Sequence, residues 1–343
     1  MPDIRVRDVS KYYGSVRALA KVDLAIHDGD YTVLLGPSGC GKTTLLKIIA
    51  GILEPTSGNV RIGGKSMTGL APEDRHIGFV FQNYALFPHL PVVDNAAYGL
   101  IARGENPDKA RRIATDMLGL VHLEERTTAI PRELSGGMQQ RLAMARALST
   151  GSKLLLLDEP MNALDAYIRK ELRVELRKMV KKLGLTAIHV THDQEEAMAL
   201  ADKVVIMRDG RIMQVGTPQE VYNHPINPFV ANFLGEANFL RVHFEKGKAK
   251  LLGVELSEGL SGDYIAAIRP ENMHLGNEGA KIKVANCRLF GPYYRFEIDY
   301  NGMRLLVRSK YENNDAKCVT FDPKDVLLFK EPEEGLEKSL KIE

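Results

Sequence analysis

Residues 31–49 constrain the fold more tightly than any other stretch. The run Tyr31-Thr32-Val33-Leu34-Leu35 lacks polar alternation, which suits a strand buried on both faces. It leads into Gly36-Pro37-Ser38-Gly39-Cys40-Gly41-Lys42-Thr43, after which Leu45, Leu46, Ile48 and Ile49 recur at helical spacing. Strand, glycine-rich turn and helix in that order begin a parallel α/β unit. The glycines let backbone N–H groups turn inward around phosphate oxygens, Lys42 brings a cation to the β and γ phosphates, and Thr43 offers a hydroxyl to magnesium, with Thr44 beside it. The rival reading is a glycine turn with an incidental Gly-Lys-Thr, and the flanking strand and helix weigh against it.

Two more apolar runs end in groups of the same chemistry. Leu154-Leu155-Leu156-Leu157 finishes in Asp158-Glu159, placing two carboxylates at the mouth of a central strand, one to hold magnesium and the next to activate water. Without a phosphate loop the pair would read as a core strand closing in a solvated acidic turn. Ala187-Ile188-His189-Val190 leads into Thr191-His192-Asp193, so His192 is expected at the same sheet edge, although a lone histidine there is as often a surface or cap residue. Gln82, after the expected strand His76 to Phe81, gains weight only from this company.

A second anion grip is implied by Leu134-Ser135-Gly136-Gly137 ahead of Met138-Gln139-Gln140-Arg141. Ser135 reads as a helix cap whose unpaired N–H groups and dipole face something negative. The plain alternative is simply a capped helix. One chain already has a phosphate cradle, so a grip supplied by another copy accounts for the duplication.

The rest of the chain sets the organisation. Ile4-Arg5-Val6 and Val22 to Ile26 alternate as half-solvated antiparallel strands, and Asn106-Pro107-Asp108 opens a helix inside an inserted helical subdomain. Asp209-Gly210 is a two-residue hairpin signal. Proline and asparagine punctuate residues 223–228, and the boundary is expected near Glu236. Beyond it Phe296, Ile298 and Tyr300 alternate with polar residues, Asn301-Gly302 turns the chain, and Met303, Leu305 and Val307 return on one face, as in a small β-barrel. A length of 343 residues fits two domains.

Lysine plus arginine, 46, nearly balances aspartate plus glutamate, 44, which gives no electrostatic case for nucleic acid or anionic lipid. Cys40, Cys287 and Cys318 lie far apart without CxxC spacing, so neither a disulfide framework nor a zinc site is expected. No apolar signal core opens the sequence and no segment is long enough to span a bilayer, so membrane spans are expected on other subunits.

Together these motifs resemble an ATP-binding cassette (ABC) ATPase across residues 3–235. The resemblance implies a P-loop NTPase α/β core in residues 1–235, with a helical subdomain at about 88–152. It also implies a head-to-tail homodimer with ATP and Mg2+ sandwiched between Gly36–Thr43 of one subunit and Ser135–Met138 of the other. Under it Tyr13 stacks on adenine, Lys42, Thr43 and Asp158 serve phosphates and magnesium, and Gln82 links magnesium and water to the membrane partner. Glu159 is the base, Asp165 communicates across the dimer, and His192 contacts the γ-phosphate. The loop Asn83 to Pro88 is the candidate dock for membrane subunits, through exposed aromatic and apolar groups, with core packing of Tyr84 and Phe87 as the plain alternative.

Residues 236–343, with Phe233 to Leu240 and Ile268-Arg269-Pro270-Glu271, are similar to the OB-like regulatory extension of maltose, polyamine, ferric-iron and sulfate importer ATPases. That similarity implies a cytoplasmic, membrane-peripheral ATPase working with permease subunits and an extracytoplasmic solute-binding protein. The other reading is a soluble ABC ATPase that clamps nucleic acid, against which stand the balanced charge and the absence of sustained heptads between Thr43 and Ser135. Asn162 stands where the family usually has serine, and Met138 where glutamine is common.

Overall fold

Strand register brings the separated motifs to one edge. The protein was studied as a computed structural model, which describes residues 3–162 and 164–342. A four-stranded sheet comprises β1 (Ile4–Tyr13), β2 (Val16–Ile26), β4 (Ser57–Ile62) and β5 (Lys65–Ser66) in the order β2-β1-β4-β5. Its alternating sequence buries Ile4, Val6, Leu24 and Ile26 on one face, as period two requires.

A six-stranded sheet runs β10-β9-β3-β8-β7-β6, built from β3 (Tyr31–Leu35), β6 (Ile77–Val80), β7 (Leu154–Asp158), β8 (Thr186–Thr191), β9 (Lys203–Arg208) and β10 (Arg211–Gly216). Five strands are parallel, and only β10 returns antiparallel. Every residue of β3, β7 and β8 is buried. Each leucine of 154–157 contributes about 1.5–3 kcal/mol by leaving water, which fixes the central strands firmly. The turn into β10 uses Asp209 and Gly210 at φ 50° and 73°, the paired left-handed geometry of a tight hairpin.

Leu35 pairs with Thr191, Asp158 with Val190, and Val80 with Leu157. The residues that follow these positions, among them Gly36, Glu159, His192 and Gln82, therefore emerge together beyond the carboxyl ends of adjacent strands. An open α/β sheet binds ligands in that crevice.

The helices are α1 (Lys42–Ala50), α2 (Val92–Ala102), α3 (Pro107–Leu120), α4 (Gly136–Ser149), α5 (Ala166–Lys182) and α6 (Gln194–Leu200). Helices α2, α3 and α4 form the inserted subdomain around Val92, Ala96, Ala114, Leu118 and Leu142. Asn106 caps α3 by accepting the Asp108 and Lys109 N–H groups ahead of Pro107 at the first turn.

The contacts divide the chain into Met1–Gln219 and Glu220–Glu343. Residues 220–235, read from the sequence as the end of the first domain, thus pack with the second unit. Arg269 accounts for this: its Nη1 donates to the Ala231 and Gly235 carbonyls at 2.6 and 2.8 Å, and its Nη2 to the Tyr222 carbonyl at 3.3 Å. Helices α7 (Pro218–Asn223) and α8 (Pro228–Phe233) occupy this stretch.

The second unit continues with β11 (Asn238–Phe244), β12 (Lys248–Leu251), β13 (Val254–Ser257), β14 (Gly262–Ile268), β15 (Met273–Gly276), β16 (Ala280–Lys281) and β17 (Lys283–Leu289). It ends with β18 (Tyr294–Tyr300), β19 (Met303–Ser309), β20 (Cys318–Phe321), β21 (Leu327–Phe329) and α9 (Leu336–Leu340). These strands make four small antiparallel sheets around one apolar cluster, an OB-like β-rich domain. Asn301-Gly302 turns β18 into β19, pairing Ile298 with Leu305 and Phe296 with Val307 in that core.

Candidate active site

The phosphate loop is shaped by close backbone approach. A Cβ at Gly36 would lie 2.3 Å from the Met207 carbonyl oxygen, and one at Gly41, at φ 102°, would lie 2.6 Å from the Ala18 carbonyl. Only glycine fits at either place. Gly41 leads α1 without a side-chain cap. The first-turn N–H groups of α1 therefore lack both intrahelical acceptors and a capping side chain, and with the helix dipole they suit a polyanion.

Lys42 is 6 % exposed, its ammonium donating to the Gly36 and Pro37 carbonyls at 2.7 and 2.8 Å. Cys40 is buried between them, and burial pushes its thiol up despite the adjacent Lys42 charge. Ser38 and Gly39 are exposed, while Thr43 and Thr44 are half-buried.

The carboxylates divide sharply. Thr43 Oγ1 donates to Asp158 Oδ1 at 2.8 Å, and burial holds the Asp158 carboxyl above its ordinary value even against that hydrogen bond. A hydroxyl and a buried carboxylate are hard oxygen donors that a magnesium ion accepts, with water and phosphate oxygens completing its shell. The donor set fits that ion. Among the described residues no cluster of three or more His, Cys, Asp or Glu offers a different metal cage.

Glu159 follows at φ 44°, a left-handed conformation unusual for a side-chain-bearing residue. Its N–H donates to the Val190 carbonyl at 3.0 Å, tying it to β8. Gln82 Nε2 and Asn162 Nδ2 both donate to Glu159 Oε2, at 3.2 and 3.1 Å, and His192 Nδ1 lies 3.4 Å from Oε1. The carboxylate is thus oriented by three side chains from three loops. Asn162, singled out in the sequence as a departure, is one of them.

The structure does not gather every expected residue here. Ser135 caps α4 by accepting the Met138 N–H at 3.4 Å. Gly136 and Gly137 lie against Leu164 and Ile168, where a Cβ would come within 3.1 and 3.2 Å. Asp165 caps α5 through the Tyr167 and Ile168 N–H groups. Among the described residues no hydrogen bond joins Ser135, Gly136, Gly137 or Asp165 to the phosphate loop. Tyr13 is 50 % exposed on β1, with Lys11 Nζ 5.3 Å from its ring centre, an open face for stacking.

The loop after Gln82 corrects one expectation. Tyr84 is 6 % exposed, so it serves packing rather than an exposed dock. Phe87 is half-buried against Tyr98, with ring centres 4.1 Å apart, and Tyr98 is the exposed partner. Sequence reasoning also missed Arg146 and Asn95. Arg146 donates to the Tyr84 and Ala85 carbonyls, both at 2.7 Å. Asn95 is fully buried, accepts the Phe87 N–H and donates to the Phe87 and Leu90 carbonyls. Nothing local marks either residue, because each partner lies in a loop whose path is set elsewhere.

Among the described residues no helix is long and apolar enough to cross a membrane. The family described as "ABC transporter" matches residues 19–162. The chain is 39 % identical over 345 residues to the sulfate/thiosulfate import ATP-binding protein CysA of Bacillus cereus, covering 96 % of both chains. It is 39 % identical to the Fe(3+) ions import ATP-binding protein FbpC of Rhizobium etli, covering 91 % of this chain and 92 % of that one. It is 42 % identical to the spermidine/putrescine import ATP-binding protein PotA of Bacteroides fragilis, covering 95 % of this chain and 74 % of that one.

Among solved structures, a dimeric post-hydrolysis state of the cassette MJ0796 bound to ADP and Pi superposes with TM-score 0.57 at 32 % identity, over 63 % of this chain and 98 % of that one. The cbiO1 protein of Clostridium perfringens, part of the ABC transporter complex cbiONQ, gives TM-score 0.59 at 31 % identity, over 64 % and 89 %. A phosphate loop, a buried Asp158 and an oriented Glu159 at one sheet edge agree with those likenesses, and the chain belongs to the ABC transporter family, as an ATP-hydrolysing subunit of an importer.

Proposed function

We propose that two copies of this chain close around two ATP molecules and that hydrolysis reopens them, driving permease subunits at the cytoplasmic face of the membrane. The observation that carries this reading is the convergence of Lys42, the Thr43–Asp158 pair and Glu159, with Gln82 and His192, beyond adjacent strand ends. Ser135, Gly136 and Gly137 stand at the N-terminus of α4, whose dipole suits a γ-phosphate presented by the other copy, and Asp165 follows Leu164, against which Gly136 lies.

Thr43 and Asp158 would hold magnesium, with Gln82 as a further oxygen donor, and the ion when bound neutralises charge on the β and γ phosphates. The α1 N-terminus and Lys42 bind the same oxygens, and Tyr13 stacks on the base. Glu159 takes the proton from a water whose oxygen attacks the γ-phosphorus. The bond to the ADP oxygen breaks, and ADP and phosphate leave. Gln82 and Asn162 fix Glu159 Oε2, so that the base is aimed before ATP arrives. His192 contacts a γ-oxygen. Catalysis is then chiefly positioning and electrostatics.

The solute is a small hydrophilic one, delivered by an extracytoplasmic binding protein. Relatives of similar identity are named for sulfate, ferric ions and polyamines, so this chain supplies energy while its partners choose the cargo. These names support an importer over a nucleic-acid clamp.

Glu159→Gln tests the reading. Its hydrolysis should fall by about 10²–10⁴-fold, while ATP still binds and shifts the protein to a dimer on size exclusion. Hydrolysis at the wild-type rate would overturn the assignment of the base, and an ATP-loaded monomer in the presence of permease subunits would overturn the shared site.

A further inference from the structure

The turn that carries His192 is held by a buried line of polar groups with no place in the phosphate site itself. Thr191 ends β8 and is 3 % exposed. Its hydroxyl donates to Glu196 Oε2 at 2.7 Å and accepts the Asp193 N–H at 3.0 Å. One hydroxyl therefore grips both the strand before His192 and the residue after it. Asp193 in turn caps α6 through the Glu195 and Glu196 N–H groups and takes ion pairs from Arg169 and Arg173 of α5.

Glu196 is unusual for a charged residue in the first turn of a helix, being only 4 % exposed. Its Oε2 faces His189 Nε2 at 3.5 Å, an electrostatic rather than hydrogen-bonded separation. His189 is fully buried, and its Nδ1 lies 2.9 Å from the Tyr31 hydroxyl. Burial keeps the Tyr31 phenol far above its ordinary value, so Tyr31 stays protonated beside that nitrogen. Thr191 and His189 thus meet the same buried carboxylate oxygen, Glu196 Oε2, one from the strand end and the other from the strand interior. His192 itself is 51 % exposed and meets Glu159 at 3.4 Å, so its backbone is anchored while its ring is lightly held.

We infer that Glu196, acting through Thr191, is the positioning residue that sets His192 against the γ-phosphate, with Tyr31 and His189 holding the Glu196 carboxylate in place. The inference rests on the ATPase reading above. A side chain that fixes backbone around a contact made in hydrolysis governs kcat, whereas ATP capture by the phosphate loop is untouched.

The test is steady-state ATP hydrolysis by the full chain carrying Thr191→Val, Glu196→Gln, both together, and Thr191→Ser, with ATP-analogue binding and thermal melting on each. Thr191→Val and Glu196→Gln should each lower kcat about tenfold, with KM for ATP within about twofold. The double variant should lose no more than either single one, since both cut one line of contacts. Thr191→Ser, which keeps the hydroxyl, should restore kcat.

A wild-type kcat in Thr191→Val, losses that multiply in the double variant, or KM rising as kcat falls would each overturn the inference. Should Thr191→Val not fold, Glu196→Gln against Thr191→Ser decides on the same criteria. Active wild type with inactive Glu159→Gln upholds the ATPase reading separately, so wild-type turnover in Thr191→Val sinks this inference alone. Wild-type protein without hydrolysis sinks both.

Discussion

Arg146 Nη2 donates to the carbonyl oxygen of Tyr84 at 2.7 Å, and Tyr84 stands at φ 60°. The next residue, Ala85, is also left-handed, at φ 47°, and its carbonyl takes the other Arg146 nitrogen. Two strained residues just after Gln82 are thus held by one guanidinium from α4, the helix that Ser135 caps. Burial lowers the affinity of Arg146 for its proton, as expected of a cation kept from water for its hydrogen bonds. Arg146→Met should destabilise the chain by about 2–3 kcal/mol in urea unfolding, because two backbone carbonyls lose a charged donor. Arg146→Lys cannot span both carbonyls and should recover only part of that loss.

Glycines in this chain split by what surrounds them. Gly41→Ala meets both a φ of 102° and the Ala18 carbonyl, so it should cost about 2–4 kcal/mol and abolish detectable ATP binding in a fluorescent-analogue titration. Gly119 lies within α3 with open space around its Cβ direction, and Gly119→Ala should raise stability by about 0.5–1 kcal/mol without changing ATP affinity.

Asp202 carries the pH dependence most open to measurement. It accepts the Tyr31 N–H at 2.7 Å and pairs with Lys181 and Arg177. Burial raises its carboxyl, but Lys181, the Tyr31 N–H and Arg177 outweigh that, and the net is a value below the ordinary one. A depressed carboxyl contributes stability above its unfolded value, lost as pH falls through the folded one. Asp202→Asn should therefore lower Tm near neutral pH, and the gap from wild type should close as pH drops below about 4. A gap that stays constant across that range would count against this origin.

In the second unit Arg269 is 4 % exposed and lies over the Tyr222 ring at 4.4 Å while donating to four backbone carbonyls, those of Tyr222, Ala231, Gly235 and Glu236. Arg269→Met should cost about 3 kcal/mol or more and open residues 222–236 to limited proteolysis. Cleavage confined to other loops would show that Arg269 does not secure this stretch.

How much was legible in sequence depended on the range of the contact. The hairpins at Asp209-Gly210 and Asn301-Gly302, the helix start at Asn106-Pro107 and the buried strands Leu154–Leu157 and Ala187–Val190 are written in neighbouring residues, and each appears where the pattern puts it. The domain boundary was not legible, because Arg269 reaches back more than thirty residues to claim 220–235, and no local pattern records that. The sequence left Tyr84 open to docking or to packing, and only the fold buries it, with Arg146 holding its carbonyl.

By itself the sequence determined the phosphate loop, the parallel sheet and the order of the acidic, glutamine and histidine groups, since glycine tolerance, apolar periodicity and capping act over a few residues. Only the tertiary structure decided that Gln82, Asn162 and His192 all face Glu159, that Glu159 sits left-handed, and that Thr191 and Glu196 brace the His192 turn. The physical reason is strand register: which loops meet beyond a sheet edge follows from the pairing of strands far apart in the chain, and that pairing is an energy of the whole core.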